Sequence, residues 1–238
     1  MHCVIIPTYN NALTLSGVIL EVLNYCAHVV VVNDGSSDST PEVLQSFGDR
    51  IYVIEYFPNR GKGYALRKGF RYAVEKGFRY AVTIDSDGQH FASDIPLLME
   101  ASSRNPQALI IGSRQFNQPN MPAKNSFANK FSNFWFTVQT GHRLNDTQTG
   151  YRLYPLHKMS KMRFFTSRYE TELEILVRLA WKGVPLIPVP VKVYYAPKGE
   201  RVTHFRKGKD FFRISLLNTA LCVAAVLYGY PSMLFRKW

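Results

Sequence analysis

The stretch YAVTIDSDGQH, Tyr80 to His90, decides how this chain is read. Tyr80–Ile84 is a short, mostly apolar run without helical spacing, and it stops on Asp85, Ser86 and Asp87 before Gly88. Such a run, bounded by turn residues, has the pattern of a strand buried on both faces, as in parallel sheets. Its end carries two acids one residue apart, able to point at a shared position. Two readings of the pair stand. Close carboxylates repel unless a cation lies between them, and hard oxygen donors suit Mg2+ or Mn2+, which can bridge a diphosphate. Alternatively, one aspartate caps the next helix and the other is solvated. His90 offers a third ligand or, equally, a structural histidine after a turn.

Outward from this strand the same rhythm repeats. His2–Pro7, His28–Asn33, Ile51–Phe57 and Leu109–Gly112 read as further strands, and Leu13–Tyr25 and Lys62–Glu75 as helices. In the second helix Ala65, Leu66, Gly69, Phe70 and Ala73 share one face. Strand and helix alternating in this way predict an α/β fold, a mostly parallel sheet covered by helices on both faces. Ligands of such sheets bind beyond the carboxyl ends of the strands. Thr8-Tyr9-Asn10, Asn33-Asp34-Gly35, Asp85-Ser86-Asp87 and Ser113-Arg114 would all fall on that rim. Later segments are less regular: Lys124–Val138 and Glu170–Lys182 suit helices, Asp146–Tyr154 a loop entering a strand, and proline-rich Val184–Tyr195 an edge strand.

Each rim motif has a bland reading beside a functional one. Asn33–Thr40 is a turn with a helix N-cap at Ser37 or Asp38, which leaves Asp34 to accept hydrogen bonds from a nucleobase or ribose. Gly61-Lys62-Gly63, at a helix start, resembles a phosphate nest. The P-loop spacing is absent, as is a dinucleotide G-x-G-x-x-G after the first strand. Thr8-Tyr9-Asn10-Asn11 also stands where a sugar-nucleotide pyrophosphorylase would need a Gly-rich basic loop.

The bulk properties set limits. The 238 residues suit one sizeable core. Cys3, Cys26 and Cys222 are far apart and form no C-x-x-C, so a reducing, cytoplasmic setting is expected. The first residues enter a strand with no basic n-region, so no secretory signal is expected. The formal charge is +12. It is concentrated late: residues 201–238 hold seven basic residues against Asp210 alone. This asymmetry points to an anionic membrane surface or polyanion. Nucleic acid is not the expected partner, because no nucleic-acid motif accompanies the charge.

Five segments in order, IIPTYN, VVVNDGSSDST, NRGKGYALRKG, TIDSDGQH and IIGSR, resemble the motifs of family 2 glycosyltransferases with the GT-A (Rossmann-like) fold. The likeness is greatest to the dolichyl- or polyprenyl-phosphate sugar synthase branch and covers roughly residues 1–195. The resemblance implies an inverting, metal-dependent hexosyltransferase using a nucleoside-diphosphate sugar. Pro7, Tyr9 and Asp34 would contact the nucleoside, with Lys62 and Ser86 also on the donor side. Asp85 and Asp87 would hold the metal and diphosphate, with Gln89 close by. Arg114 would face the donor phosphates or the acceptor phosphate, and Asp146–Arg152 would line the acceptor side, with Arg152 an acceptor contact. One departure is Asn11, where the branch often has Glu. Glu172 is the expected general base, on a helix where Glu170 and Glu174 share another face with Arg178. A phosphate acceptor, already anionic, would need no base.

Ile214–Phe235 holds 22 residues without a charge, about 33 Å as a helix and enough to cross a bilayer core. Arg206, Lys207, Lys209 and Arg213 precede it, and Arg236 and Lys237 follow. Charge on both sides suits an interfacial or re-entrant helix at least as well as a span, and a buried core helix is the soluble alternative. The expected division is therefore a GT-A domain over 1–200 and a basic loop with a membrane-associating helix over 201–238. Arg201 and Arg206 are the expected contacts for a lipid-linked phosphate, at the cytoplasmic face of the membrane. Polyprenyl phosphate is thus the expected acceptor. The alternatives are a sugar hydroxyl in cell-envelope polysaccharide or lipopolysaccharide assembly, and a non-catalytic, membrane-docked nucleotide-sugar binding protein.

Overall fold

A computed structural model describes residues 1–114, 123–159, 162–195 and 208–235. The elements run β1 (His2–Thr8), α1 (Ala12–Leu23), β2 (Val29–Asn33), α2 (Thr40–Gln45), β3 (Tyr52–Glu55), α3 (Lys62–Glu75), β4 (Tyr80–Thr83), α4 (Ile95–Arg104), β5 (Leu109–Arg114), α5 (Ala123–Thr140), β6 (Arg152–Pro155), α6 (Leu156–Met159), α7 (Glu170–Trp181), β7 (Leu186–Val191), α8 (Lys209–Ala224) and α9 (Tyr230–Leu234). Seven strands form one sheet in the order β3-β2-β1-β4-β6-β5-β7. The first four neighbours are parallel, and so are β5 and β7. Strand β6 runs antiparallel between β4 and β5. Its approach from the opposite direction brings the Asp146–Gly150 loop to the carboxyl end of β4.

Alternation along the strands builds two cores. Ile5, Val30, Val32 and Ala81 face α3 and α7, where Leu66, Phe70, Ile175 and Trp181 cover them. Val4, Ile6, Val31 and Val82 face α1 and α4, against Leu15, Ile19, Ile95 and Leu98. These apolar runs are buried on both sides, which is why the strands carry no polar alternation. Helix α3 lies close against α7: a Cβ on Gly63 would fall 1.8 Å from the Thr171 hydroxyl. At the sheet edge, β7 tolerates Pro188 and Pro190 because residues two apart turn their missing N–H positions to the same, unpaired side.

The apolar tail is a helix over Asp210–Leu234, of mean hydropathy 1.7, joined by a π turn at Ala225–Gly229. Only 17% of its apolar window is buried, so it is not a core helix. The stripe facing the body is partly polar: Asp210, Asn218, Leu221, Ala225 and Gly229 are buried. Gln139 Nε2 donates to Asn218 Oδ1 at 2.9 Å, and Ser232 Oγ donates to the Trp181 carbonyl at 3.2 Å. Facing outward are Phe211, Phe212, Leu216, Val223, Val226 and Leu227, with Phe131 and Phe134 of α5 also exposed. The helix is therefore apolar on both faces, since Leu221 and Ala225 of the inner stripe join the core.

Candidate active site

The carboxyl ends of β1, β2 and β4 open into a cavity of about 440 Å³. Pro7, Tyr9 and Asp34 line it on the β1–β2 side, and Asp85, Ser86, Asp87 and Gln89 at the end of β4. Lys62 lines it from the start of α3. All eight residues expected on the donor side therefore share one space. The turns that present them are tied together. Asn10, at φ 50°, accepts from Ser37 N at 2.8 Å, while Asn11 Nδ2 donates to Ser86 Oγ at 2.7 Å. Thr14 Oγ1 donates to the Ser86 carbonyl at 2.6 Å, so α1 fixes the acidic turn from below.

At the centre, the Lys62 ammonium lies 2.6 Å from Asp85 Oδ1 and 3.1 Å from Glu172 Oε2. Burial works against the Lys62 charge, but the two carboxylates more than offset it and hold the amine protonated, above its usual range. Burial would likewise raise Asp85, yet the Lys62 charge beside it holds the carboxyl below the usual range. Glu172 is pushed up by burial, with Lys62 opposing. Asp87 has no ion pair among the described residues; its Oδ1 accepts from Gln89 N at 3.0 Å. Burial, then the Asp85 charge, push its carboxyl up to about 6.

That pattern is the test of whether a metal fits. Asp87 carries a charge the site leaves uncompensated, beside a second oxygen donor. Magnesium-like ions commonly take one or two protein carboxylates and complete their shell with substrate phosphates and water. The pair therefore fits a divalent ion that arrives with a diphosphate. No cluster of three or more His, Cys, Asp or Glu ligands exists among the described residues. His90, weighed as a third ligand, is buried against the Tyr151 ring, and burial pushes it down to about 4.

Several expected site residues have structural partners that the sequence did not reveal. The Asp34 carboxylate, expected to await a nucleoside, accepts from Arg60 N and Gly61 N at 2.7 Å each and from Asn59 Nδ2 at 2.9 Å. Its first duty is to hold the Asn59–Gly61 turn. At the start of α3, Gly61 N is given to Asp34 and Tyr64 N to the Ser167 carbonyl at 2.8 Å, so these two N–H groups are not offered to a phosphate. Arg152, expected at the acceptor, is fully buried and donates to the backbone carbonyls of Glu172 and Thr147. Such an arginine braces β6 against α7 and lies outside the cavity lining. Arg114 is forked onto Asp146 at 2.7 and 2.8 Å, outside the cavity lining. Glu172 also lies outside that lining, behind Lys62, rather than standing apart as a base. Glu174 pairs with Arg178 at 2.7 Å as expected, whereas Glu170 is buried without joining that pair. Arg201, Arg206 and the basic loop around them lie outside the described residues.

Among the polar lining residues, Arg168, Tyr169 and Asp210 were not foreseen. Only Asp210 had a signal, as the lone acid in a basic segment. Gly150, read within the acceptor-side segment, stands instead against the charged centre. A Cβ there would lie 2.8 Å from Lys62 Nζ and 2.9 Å from both Asp85 Oδ2 and Glu172 Oε1. The position is a gap kept open for three charged atoms.

Comparison with solved structures gives the class first. Glucosyl-3-phosphoglycerate synthase from Mycobacterium tuberculosis, solved with Mn2+, UDP-glucose and phosphoglyceric acid, superposes with a TM-score of 0.67 at 17% identity, covering 94% of this chain and 79% of that one. The fold is GT-A-like. The chain belongs to glycosyl transferase family 2, whose model matches residues 3–160. A dolichyl-phosphate beta-glucosyltransferase of Mus musculus is 30% identical over 248 residues, covering 90% of this chain and 74% of that protein. UDP-N-acetylglucosamine–dolichyl-phosphate N-acetylglucosaminyltransferase of Methanococcus voltae is 27% identical, covering 90% and 94%. Polyprenol monophosphomannose synthase of Mycolicibacterium smegmatis is 28% identical, covering 79% and 75%. Within the family, the similarity is to the polyprenyl-phosphate sugar synthase branch.

Proposed function

We propose that the chain transfers a sugar, with inversion, from a nucleoside-diphosphate sugar to polyprenyl phosphate, and that Asp85 and Asp87 hold a Mg2+ or Mn2+ ion for the reaction. One observation carries the reading: Asp85, Asp87 and Lys62 meet at one part of a cavity whose other wall is the β1–β2 rim. The named activities of the three relatives support the acceptor.

A bound divalent ion supplies neutralisation of the charge that grows on the departing diphosphate. The chain's own residues do the rest by placement. Lys62 keeps Asp85 ionised and oriented, Glu172 holds Lys62 from behind, and Gly150 leaves the three their contact distances. The acceptor phosphate oxygen attacks the anomeric carbon opposite the leaving diphosphate, and it needs no proton removed. Transfer to a sugar hydroxyl would need a base, and the candidate Glu172 is already paired with Lys62. A non-catalytic binding protein would have no use for the paired charges. The outward apolar face of α8 and the basic residues flanking it support docking on the cytoplasmic face of a membrane. In this reading 1–200 is the catalytic unit and 201–238 the membrane-facing one.

The test is transfer of radiolabelled sugar from nucleotide sugars into lipid, with and without divalent metal, for wild type and Asp87→Ala. Label should enter lipid only with metal, and the variant should retain less than about a hundredth of the rate while still folded. Undiminished transfer by Asp87→Ala would refute the assignment.

A further inference from the structure

A helix that is apolar on every side needs cover on every side. For α8 and α9 the body supplies it on one flank. That flank is fastened at both ends and in the middle. Asp210 is buried at the catalytic cavity, Gln139 donates to Asn218 at 2.9 Å, and Ser232 donates to the Trp181 carbonyl at 3.2 Å. Gly229 lies so close to the Trp181 indole that a Cβ there would fall 2.5 Å from Nε1. Beneath runs α7, buried at every position but Arg178, so the layers are sheet, α7, α8. The other flank is bare: Phe212 is 68% exposed and Leu227 76%. The bare surface continues onto α5. The Phe131 ring stacks on Phe211 with centroids 6.4 Å apart, and Trp135 meets Phe131 and Phe134 edge-on. One apolar surface thus crosses two helices.

Two orientations on a bilayer are open to such a helix, and the fastened flank permits one. A crossing helix would carry its fastenings with it, drawing α7 with Arg178 and Lys182, and the sheet behind, into hydrocarbon. Lying flat, it keeps every contact and covers its bare side with lipid. The chemistry of the surface says which lipid. Its middle is apolar, its aromatic rings suit the headgroup boundary, and in sequence its cations stand at the two ends, Lys209 and Arg213 before and Arg236 and Lys237 after. A second copy fits less well, because cations at both ends meet like charge whichever way two such helices pair. We propose that α8 and the Phe131–Trp135 stretch of α5 lie in the plane of an anionic bilayer surface without crossing it. Asp210 lines the cavity while its neighbour Phe211 faces outward, so this placement sets the α8 wall of the catalytic cavity beside the headgroups. A lipid phosphate would reach that wall without leaving its leaflet. This placement rests on the membrane-facing role proposed for residues 201–238.

Spin labels on Phe212→Cys, Leu216→Cys, Val223→Cys and Leu227→Cys read the arrangement, each in the full chain carrying Cys222→Ser, since Cys3 and Cys26 are buried. All four positions are exposed, so a label displaces no packing. On vesicles of phosphatidylcholine with phosphatidylglycerol, depth is measured by collision with oxygen and with an aqueous nickel complex. The four labels should lie at one depth, about 5–10 Å below the phosphates. A crossing helix would put Val223 about 16 Å deeper than Phe212, and that gradient would overturn the flat placement while leaving membrane docking intact. Leu216→Asp should lower vesicle partition at least about tenfold with its urea midpoint unchanged. Leaving out phosphatidylglycerol should weaken wild-type binding by about tenfold or more. Unchanged partition in either comparison overturns the docking surface. Dipolar broadening between labels in vesicle-free solution would show a second copy on this face and overturn it too. A wild-type chain that does not float with vesicles overturns the membrane-facing role, and this placement with it. Sugar transfer to a detergent-dispersed acceptor reads the transferase role separately.

Discussion

Replacing Gly150 by alanine is the sharpest test of the charged centre. Gly150 does not adopt a left-handed backbone, so alanine adds no conformational strain there. The added methyl carbon would sit 2.8 Å from Lys62 Nζ and 2.9 Å from Asp85 Oδ2 and Glu172 Oε1. Ordinary contact begins near 3.4 Å, so each atom must retreat by about half an ångström. The three cannot all retreat and keep the 2.6 Å and 3.1 Å pairings on Lys62. Overpacking of this kind costs about 1–3 kcal/mol. Its effect on rate is larger, because a misplacement near 1 Å costs about a hundredfold, and half of that about tenfold. The assay is the initial rate of label transfer into lipid at saturating donor and metal, with urea unfolding of the same preparation. Gly17→Ala is the control: no atom lies within 4 Å of its added Cβ, and in mid-helix it should add about 0.5–1 kcal/mol of stability at unchanged rate. A folded Gly150→Ala enzyme within about twofold of the wild-type rate would refute the reasoning, since the charges would then tolerate displacement.

Two further outcomes follow from the same geometry. The Asp87 carboxyl sits at about 6, above its unfolded value, so the fold favours the neutral acid and loses stability as pH rises through about 6. Metal needs the ionised form, so its apparent affinity should fall as pH drops below about 6; metal-free Asp87→Asn should exceed wild type by about 2 kcal/mol at pH 7.5 and by nothing at pH 3.5, as read by urea titration. Arg114→Ala strips the bidentate partner from Asp146, whose side chain is wholly buried, and should cost about 3–5 kcal/mol. Pairing it with Asp146→Asn should recover most of that loss, and a single-variant cost under about 1 kcal/mol would show the pair to be dispensable.

The outline of the fold was legible because its signals are local. Apolar runs such as VVVVN and YAVT announce buried strands, and the polar residues that end them mark the rim. Four of the five family motifs lie at or just beyond those strand ends and contribute residues to one cavity. What the sequence hid depends on pairings between distant segments. Nothing near Arg152 says that β6 enters antiparallel or that the guanidinium will be spent on two carbonyls. Asp34 looked available because its partners, Asn59 to Gly61, are 25 to 27 positions away. Glu172 looked isolated on its helix because Lys62 approaches from another. The tail's composition was plain, but which side of it would face the body was decided by Gln139 and Trp181.

The Lys62–Asp85–Glu172 contact has a consequence for how the molecule comes into being. Its members come from α3, the end of β4 and α7, so the last arrives 110 positions after the first. Until α7 has been made, Lys62 and Asp85 lack the Glu172 carboxylate. The segment matched by the family ends at residue 160, before Glu172 has been added. A chain cut at that border would lose the third member of the charged centre, along with Arg168 and Tyr169 of the cavity wall. The charged centre is complete only in a chain that reaches α7.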